Sequence, residues 1–561
     1  MRYKWPEDTQ FEKIVLLPDN RVCPYCGGIL HVCDHRSHKY FSLKGPVHLI
    51  CHLTHCIKAD CPGHVRTFSP SSESLYTFPH WLIGWDVFAF IGHRRFSRHW
   101  AIPEIREELL ETYHVIISHD TIENHIAHYQ AMLASRHQDF SQLSKFYEGV
   151  SEVVLAIDGL QPEKGHETLY VIREITNKRV WLAEPILSST AMELEKLIEK
   201  AKGLAASLNL KVKLWVSDKQ DALLKAIKKV FPRTPHQYCE NHFIRDLAKP
   251  VLEADSATKV KLRKKIRGLR ATEQKMADPA NRSEGFSTRE LKEEEEQKEA
   301  VLGYCSGIRG ILSDDQGGPL DPPGLRMAEG IQDMRDSLER CLQAKVGGKG
   351  EEGVKDLIGF IDAGFKEVKE EQDALRMYVE DVRAVKDTLD LKTGPVKDRK
   401  KQFKNLYKQF FAREDSIYQY MAGLMERFSK GLFVTGDNPD LPRDNLDLER
   451  FFKVPKGHER KIHGRRHAGI RIVVEGATLI PTLDAHLLHP RPFLAKDLIS
   501  YAKAEIPEVQ KAALARKKTQ DWLDQEDQGL DLSNDWKADI SKHLKECETR
   551  WKKNTVTDAP H

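Results

Sequence analysis

The period of apolar and polar positions changes several times along the chain, and each change marks an element or a boundary. From about residue 150 to 250, short β-branched runs alternate with amphipathic stretches, the pattern of an α/β unit. VVLAID, TLYVIREI, RVWLAEPIL and VKLWVSD read as strands, and the stretches after Ser189 and after Asp218 read as helices. From about residue 73 to 135 the apolar spacing is helical, with breaks expected at Gly84, Gly92 and Pro103. From about 251 to 430 the chain is long, charged and helical, with a loop at GGPLDPPG and a soft joint at GGKGEEG. A polar turn, TGDNPDLPRDN, then leads to a helix start at NLDLERFF and a basic stretch reaching about residue 471. Residues 1 to about 70 show few helical periods. The last roughly 65 residues are charged and helical, with Trp522, Trp536 and Trp551 as apolar anchors.

A chain of 561 residues exceeds what one core holds, so several domains are expected. With 40% hydrophobic and 30% charged residues it is core-forming and not disordered. Its 87 Lys and Arg against 84 Asp and Glu leave a net charge of +3, so an argument for nucleic acid must come from local patches. The first residues lack a signal-peptide pattern and no stretch is apolar enough to span a membrane, which predicts an intracellular protein with no membrane partner. Six of the ten cysteines fall within the first 61 residues among histidines, which favours metal over disulfides.

CPYCGG sets Cys23 and Cys26 in a knuckle, and Cys56 and Cys61 follow after roughly thirty residues. Together they give the four soft ligands of one tetrahedral structural zinc. Cys33, Cys51, His31, His35, His55 and His64 are rival ligands.

Further on, IPEIREELLETYHVIISHDTIENHIAHYQAML reads as a helix from about Pro103 to Tyr113, a turn, and a second helix capped by Ser118. Ile105, Leu109, Ile117, Ile122 and Ile126 form the expected shared core. This is a helix-turn-helix candidate: His119, Asp120, Glu123 and Asn124 open the second helix, where recognition side chains reach base edges. Upstream, His93, Arg94, Arg95, Arg98 and His99 make a basic cluster suited to phosphates, and the bland alternative is a solvated helix face.

Asp158 closes the strand VVLAID and Asp218 closes VKLWVSD. Aspartates at strand ends suit Mg²⁺, especially when a third carboxylate comes from a helix packed across the sheet, although each alone is a common helix cap. Between Lys453 and Arg471 there are seven Lys or Arg and one acid, with histidines interspersed. Lys453, Lys456, Arg460, Lys461, Arg465 and Arg466 are the candidate phosphate track.

The ordered set of Asp158, two strands, a helix, Asp218 and then FPRTPHQYCENHFIRDLAKP resembles DDE transposases with an RNase H-like core, in particular Mutator-like and related bacterial insertion-sequence enzymes. Cys239 and His242 match the Cys-x-x-His motif that follows the second Asp in that family, and DNLDLERFFKVPKGHERKIHGRRHAG has the form of its third-acid segment. The resemblance covers roughly residues 150 to 250 and 432 to 475. It implies Asp158, Asp218 and Glu449 as catalytic carboxylates on two Mg²⁺ (or Mn²⁺), with Asp437, Asp440, Asp444 and Asp447 as rivals for the third. Cys239 and His242 take a structural or positioning role, with DNA contact and half a metal site as alternatives. The long separation of Asp218 from Glu449 departs from an uninterrupted core and implies a helical insertion, in which Asp314 and Asp315 are loop residues.

The expected fold is therefore a multidomain α+β chain: a zinc-ribbon-like module at 1–70, a helix-turn-helix domain at 71–140, an RNase H-like α/β core at 141–250 and 432–490, an all-helical insertion at 251–431, and a helical tail at 491–561. The implied activity is cleavage at transposon ends and 3′-hydroxyl strand transfer into target DNA. Its partners would be double-stranded DNA and further copies of the chain, since two ends must be joined in concert. The rival readings are a domesticated or inactive DNA-binding relative and an RNase H-fold nuclease without strand transfer.

Overall fold

The computed structural model describes residues 4–161, 166–266, 268–278, 288–343, 348–464, 469–489 and 491–527, together with Lys545. The fold is mixed α/β and mostly helical. In chain order it runs β1 (Glu12–Leu16), β2 (Leu30–Ser42), β3 (Gly45–Cys56), α1 (Trp85–Phe96), α2 (Ile102–Tyr113), α3 (His119–Gln138), α4 (Phe140–Phe146), β4 (Glu152–Leu160), β5 (Thr168–Glu174), β6 (Arg179–Ile186), α5 (Ala191–Ser207), β7 (Lys211–Ser217), α6 (Asp221–Val230) and β8 (His236–Tyr238). Helices follow: α7 (Glu240–Ile266), α8 (Leu269–Ala277), α9 (Thr288–Ser313), α10 (Pro323–Gln343), α11 (Gly348–Leu389), α12 (Val396–Phe411), α13 (Ser416–Phe428), α14 (Leu446–Phe451), α15 (Lys453–His463), α16 (Gly469–Val474), α17 (Gly476–Leu488), α18 (Ala495–Leu498) and α19 (Glu508–Asp527). No helix of the described residues is long and apolar enough to cross a membrane. The strands form a three-stranded sheet in the order β1-β3-β2 and a five-stranded sheet in the order β6-β5-β4-β7-β8.

The chain divides into two compact units, and the boundary runs through β4. One unit holds the described residues of Met1–Ser151, Asp158–Lys211 and Leu448–His561. Its small sheet pairs β1 with β3 in parallel and β2 with β3 antiparallel, with a bulge between Val32 and Asp34. Its main core joins Phe88 and Ile91 of α1, Ile105 and Leu109 of α2, Ile122 and Tyr129 of α3, and Leu479 and Leu483 of α17. The expected helix pair, from about Pro103 to Tyr113 and onward from Ser118, forms as α2 and α3. His114 takes a left-handed conformation at the end of α2, and the Ser118 hydroxyl accepts the Thr121 N–H. All five isoleucine and leucine positions expected to be shared between the pair are buried. Gly92 does not break its helix. It lies inside α1 because the Tyr129 ring packs where a Cβ would stand, 2.2 Å from the nearest ring atom. Asp484 of α17, fully buried, accepts from the Arg173 guanidinium at 2.8 Å, the Val180 N–H at 2.8 Å and the His137 ring at 3.1 Å. Burial opposes its charge, but these donors hold the carboxyl below the usual carboxylate range.

The other unit holds the described residues of Glu152–Ile157 and Val212–Asp447. Here β7 and β8 pair in parallel, Trp215 opposite His236. The break expected near residue 250 falls inside α7, which runs on through Pro250. Two apolar clusters hold the helices. One gathers Phe243, Leu247, Val382, Phe403 and Met421, and the other Leu262, Ile266, Ile308, Ile331 and Leu357. Between them the buried Asp255 of α7 accepts the N–H groups of Gly324 and Leu325, at 2.6 and 2.9 Å, which would otherwise be unsatisfied at the start of α10. The chain then returns to the strand it left. The buried Gln237 side chain donates to the Leu432 carbonyl at 2.9 Å and accepts the Val434 N–H at 3.1 Å, the Tyr238 N–H donates to Gly431, and the Glu240 N–H donates to Arg443 at 3.1 Å.

Asp484→Ala is expected to lower the stability of its unit by about 3–5 kcal/mol, because Arg173 and His137 would stay buried without their partner. Urea unfolding followed by circular dichroism checks this, and a loss below about 1 kcal/mol would show that the network carries little.

Candidate functional site

The four cysteines of the amino-terminal module converge. Cys23 and Cys26 sit in a tight turn in which the Cys23 N–H donates to Gly28 and the Gly27 N–H to Cys23. Gly27 takes φ +68°, a conformation that a side chain would strain. Cys56 ends β3, and Cys61 follows in a turn whose Gly63 N–H donates to the Cys61 sulfur at 3.4 Å. The Sγ atoms lie within 4.8 Å of one another, with Cys23 to Cys61 at 3.7 Å and Cys26 to Cys56 at 3.5 Å. Four sulfurs each about 2.3 Å from one tetrahedral zinc would stand about 3.8 Å apart, so the cluster is compatible with a structural zinc. The electrostatics agree. The Gly28 N–H, with help from Cys56, draws the Cys26 thiol down to about 7. The Gly63 N–H favours ionised Cys61, but burial and the neighbouring sulfurs push that thiol up to about 12. A cation relieves that mutual repulsion.

The rival ligands are not part of the four-sulfur cluster. Cys51 is buried among Leu16, Tyr40 and Leu49 in the sheet core, where burial pushes its thiol up to about 11. Cys33 is exposed and donates to Leu53, and the His64 ring bonds the Cys56 carbonyl at 2.8 Å.

The strand-end aspartates differ in surroundings. Asp158, near the end of β4, is partly exposed and accepts the Gly159 N–H at 2.8 Å. Asp218 follows β7, and its buried Oδ1 has no hydrogen-bond partner among the described residues. Burial raises its pKa, with Asp246 adding to the rise, against the Gln220 N–H and Arg245. Beside it the Ser217 hydroxyl donates to the Asp218 carbonyl and contacts the His236 ring at 2.8 Å. Cys239, fully buried, donates its N–H to Ser217 at 2.8 Å, and its sulfur accepts the Asn445 N–H at 3.3 Å. His242, in the first turn of α7, is held neutral by burial, its pKa drawn down to about 4. Asn445 is the residue that the sequence did not single out. Fully buried, it donates its amide to the carbonyl of Ile157, the neighbour of Asp158, at 3.5 Å, and so ties the returning chain to β4. Its signal was the polar turn before a helix, which drew attention to acids and not to an amide.

Glu449 lies on α14 and is partly exposed, between the buried Leu448 and Phe451. Of its rivals, Asp437 is committed to Arg399 at 2.9 Å and to the Val396 N–H, and Asp444 accepts the Leu446 N–H at 3.0 Å. Asp440 is exposed.

The expected basic residues divide. Arg98, His119 and Asn124 are exposed, as are Lys453, Lys456, Arg460 and Lys461 on α15, whose opposite face buries Pro455, His458 and Ile462. His458 stacks on Phe96 at 5.6 Å, which turns the cationic face outward. Two arginines depart from the expected phosphate cluster. Arg94 is engaged by both oxygens of Glu108, and Arg95 is 2% exposed, its guanidinium bonded to the Trp100 carbonyl. The helix ending at Phe96 turns this part of the cluster inward because its apolar neighbours pack there. Arg465 and Arg466 lie outside the described residues.

Residues 198–293 match the model of the family described as transposase, Mutator family, and this supports a Mutator-like transposase. The matched segment contains Asp218, Cys239 and His242. No curated protein matches the chain.

Purified chain is expected to carry about one zinc, with the ion lost in Cys56→Ser together with the order of its module. Metal analysis by plasma mass spectrometry decides. A zinc content unchanged by the substitution would exclude the cluster as the site.

Proposed function

We propose that this transposase is of the DDE type, cutting DNA at the ends of a mobile element and joining the freed 3′-hydroxyls to target DNA. The observation that carries the reading is Asp218: a strand-end carboxylate inside the segment that matches Mutator-family transposases, with a buried oxygen lacking a partner among the described residues. An unsatisfied buried carboxylate oxygen is costly, and a hard divalent cation offsets that cost. Sheet order supports Asp158 as its companion. Strands β4 and β7 are neighbours, and the Lys211 N–H donates to Ser151 at 2.9 Å where they begin. Asp158 and Asp218 each follow these paired residues by seven positions.

In this reading Asp158, Asp218 and Glu449 hold two Mg²⁺ (or Mn²⁺). When bound, such ions activate the attacking oxygen and stabilise the leaving oxygen at phosphorus. The chain's own residues do the positioning. Asn445 fixes the backbone beside Asp158, and Cys239 ties Ser217, and with it Asp218, to the returning segment. The exposed cations of α15 grip DNA phosphates, while His119 and Asn124 at the start of α3 reach base edges as in a helix-turn-helix. The four cysteines hold one structural zinc, and two or more copies act together on paired ends.

The test is a cleavage and strand-transfer assay with Mg²⁺ or Mn²⁺ on DNA carrying the sequence that flanks the gene. Asp158→Ala, Asp218→Ala and Glu449→Ala are each expected to lower both steps by more than about a hundredfold, since even residues that only orient metal ligands cost 10–100-fold. Activity that survives only in Glu449→Ala would move the third acid to another residue of that segment. Cleavage without joined products would favour a nuclease, and a parent protein that binds end DNA without nicking it would refute the proposal.

A further inference from the structure

The unit that contains α1–α3 and α15–α19 holds a cavity of about 360 Å³ that the strand-end chemistry does not use. Its walls come from the end of α1, α2, the first half of α3, the end of α15, α16, α17 and α19. Ile126, Ile462 and Leu514 supply an apolar side, and Gln510 and Thr478 line it while bonded to each other at 2.9 Å. The charged part is unbalanced. Arg95 reaches the cavity with only 2% of its surface exposed, holds the Trp100 carbonyl at 3.1 Å and forms no ion pair among the described residues. Burial, reinforced by Arg471, draws its pKa down to about 10, against the pull of Glu459, Glu475 and Glu123. Arg471 also lines the cavity and is paired with Glu475 at 2.7 Å. Glu459 is no firm counter-ion. Burial pushes its carboxyl up to about 7, and its buried Oε2 has no hydrogen-bond partner among the described residues. Glu123 stands exposed at the rim. Of the two guanidiniums, Arg471 is ion-paired with Glu475 and Arg95 has no ion-pair partner among the described residues, and a buried cation in that position is stabilised by an added anion.

We propose that this cavity binds a phosphate group, with Arg95 and Arg471 holding its oxygens and the apolar wall packing the body that carries it. Guanidinium groups match the spacing of phosphate oxygens with paired hydrogen bonds, and the tetrahedral anion brings the charge that the single carboxylate does not supply. The phosphate can come from DNA, because His119 of the first turn of α3 lines the same cavity, or from a free phosphate compound. Neither source depends on the strand-end carboxylates, so this inference stands or falls apart from the catalytic reading.

Calorimetric titration of the full chain with inorganic phosphate, alongside fluorescence titration with duplex DNA, tests it. Two variants serve: Arg95→Gln, which removes the charge, and Ala127→Phe, which fills the cavity from an exposed rim position and leaves both arginines in place. The parent is expected to bind phosphate, and each variant to bind it about tenfold or more weakly. Should Arg95→Gln fail to fold by circular dichroism, Ala127→Phe carries the test. Loss of phosphate binding with DNA affinity unchanged assigns the site to a free phosphate compound. A fall in DNA affinity in the variants, with or without phosphate binding by the parent, assigns it to the DNA backbone. Variants that bind both phosphate and DNA as the parent does overturn the proposal, and so does a parent that binds no phosphate while the variants keep its DNA affinity.

Discussion

The long run of helices from α7 to α13 can be carried because its two ends are tied together at β8. Closing a loop costs entropy that grows only with the logarithm of its length, so many added residues cost little once the ends are fixed. Gln237 does the fixing. Its buried amide spends both donor and acceptor on the returning chain, at Leu432 and Val434, and the Glu240 N–H meets Arg443 beside it. Each buried bond contributes on the order of 1 kcal/mol, but losing one partner would strand the other at a cost of about 1–3 kcal/mol, so the closure is enforced more by what breaking it would expose than by what it gains. Asn445 follows from that closure: only because the chain comes back here can one side chain reach the backbone next to Asp158 while its N–H meets the sulfur of Cys239.

Three aspartates with buried oxygens show how the same group is put to different uses. Asp484 is surrounded by donors and stays ionised, and Asp255 is spent on the first N–H groups of α10. Asp218 is half-buried, its pKa raised by burial, and its buried Oδ1 has no hydrogen-bond partner among the described residues. Asp484 and Asp255 are satisfied by their surroundings while Asp218 keeps an open oxygen at a strand end, and such departures from internal consistency cluster where ligands bind.

The strands β4 to β7 were legible because β-branched runs bounded by polar turns have few other readings, and α3 because Ser118 is a strong cap with helical apolar spacing behind it. The four cysteines were legible from spacing, since thiols so placed have little else to do in a module with a small core. Other features left no such trace. The long strands β2 and β3 carry histidines and polar residues on open faces, which blurs their alternation, and β8 is three residues long and held by its neighbour and by Gln237. Gly92 reads as a breaker until Tyr129 is seen to need its space. Arg95 reads as a surface cation, because a basic run says nothing about which member the packing of Phe96 will turn inward. Local pattern thus reports elements, while contacts between residues hundreds of positions apart, such as Asn445 with Ile157, are set by the closure of the chain.

The small amino-terminal sheet has the order β1-β3-β2, which leaves β2 as a thirteen-residue border with no further strand paired to it among the described residues before the contact of Phe41 with Leu82 and Gly84. An open border of that length is a template on which strands of other chains can add, the usual start of unspecific aggregation. The bulge at Val32 and Asp34 interrupts the regular ladder there, and Asp34, Arg36 and Lys39 set charges along the same stretch. An irregularity that looks like a fault in the pairing is thus the kind of feature that makes a border a poorer template for an added strand.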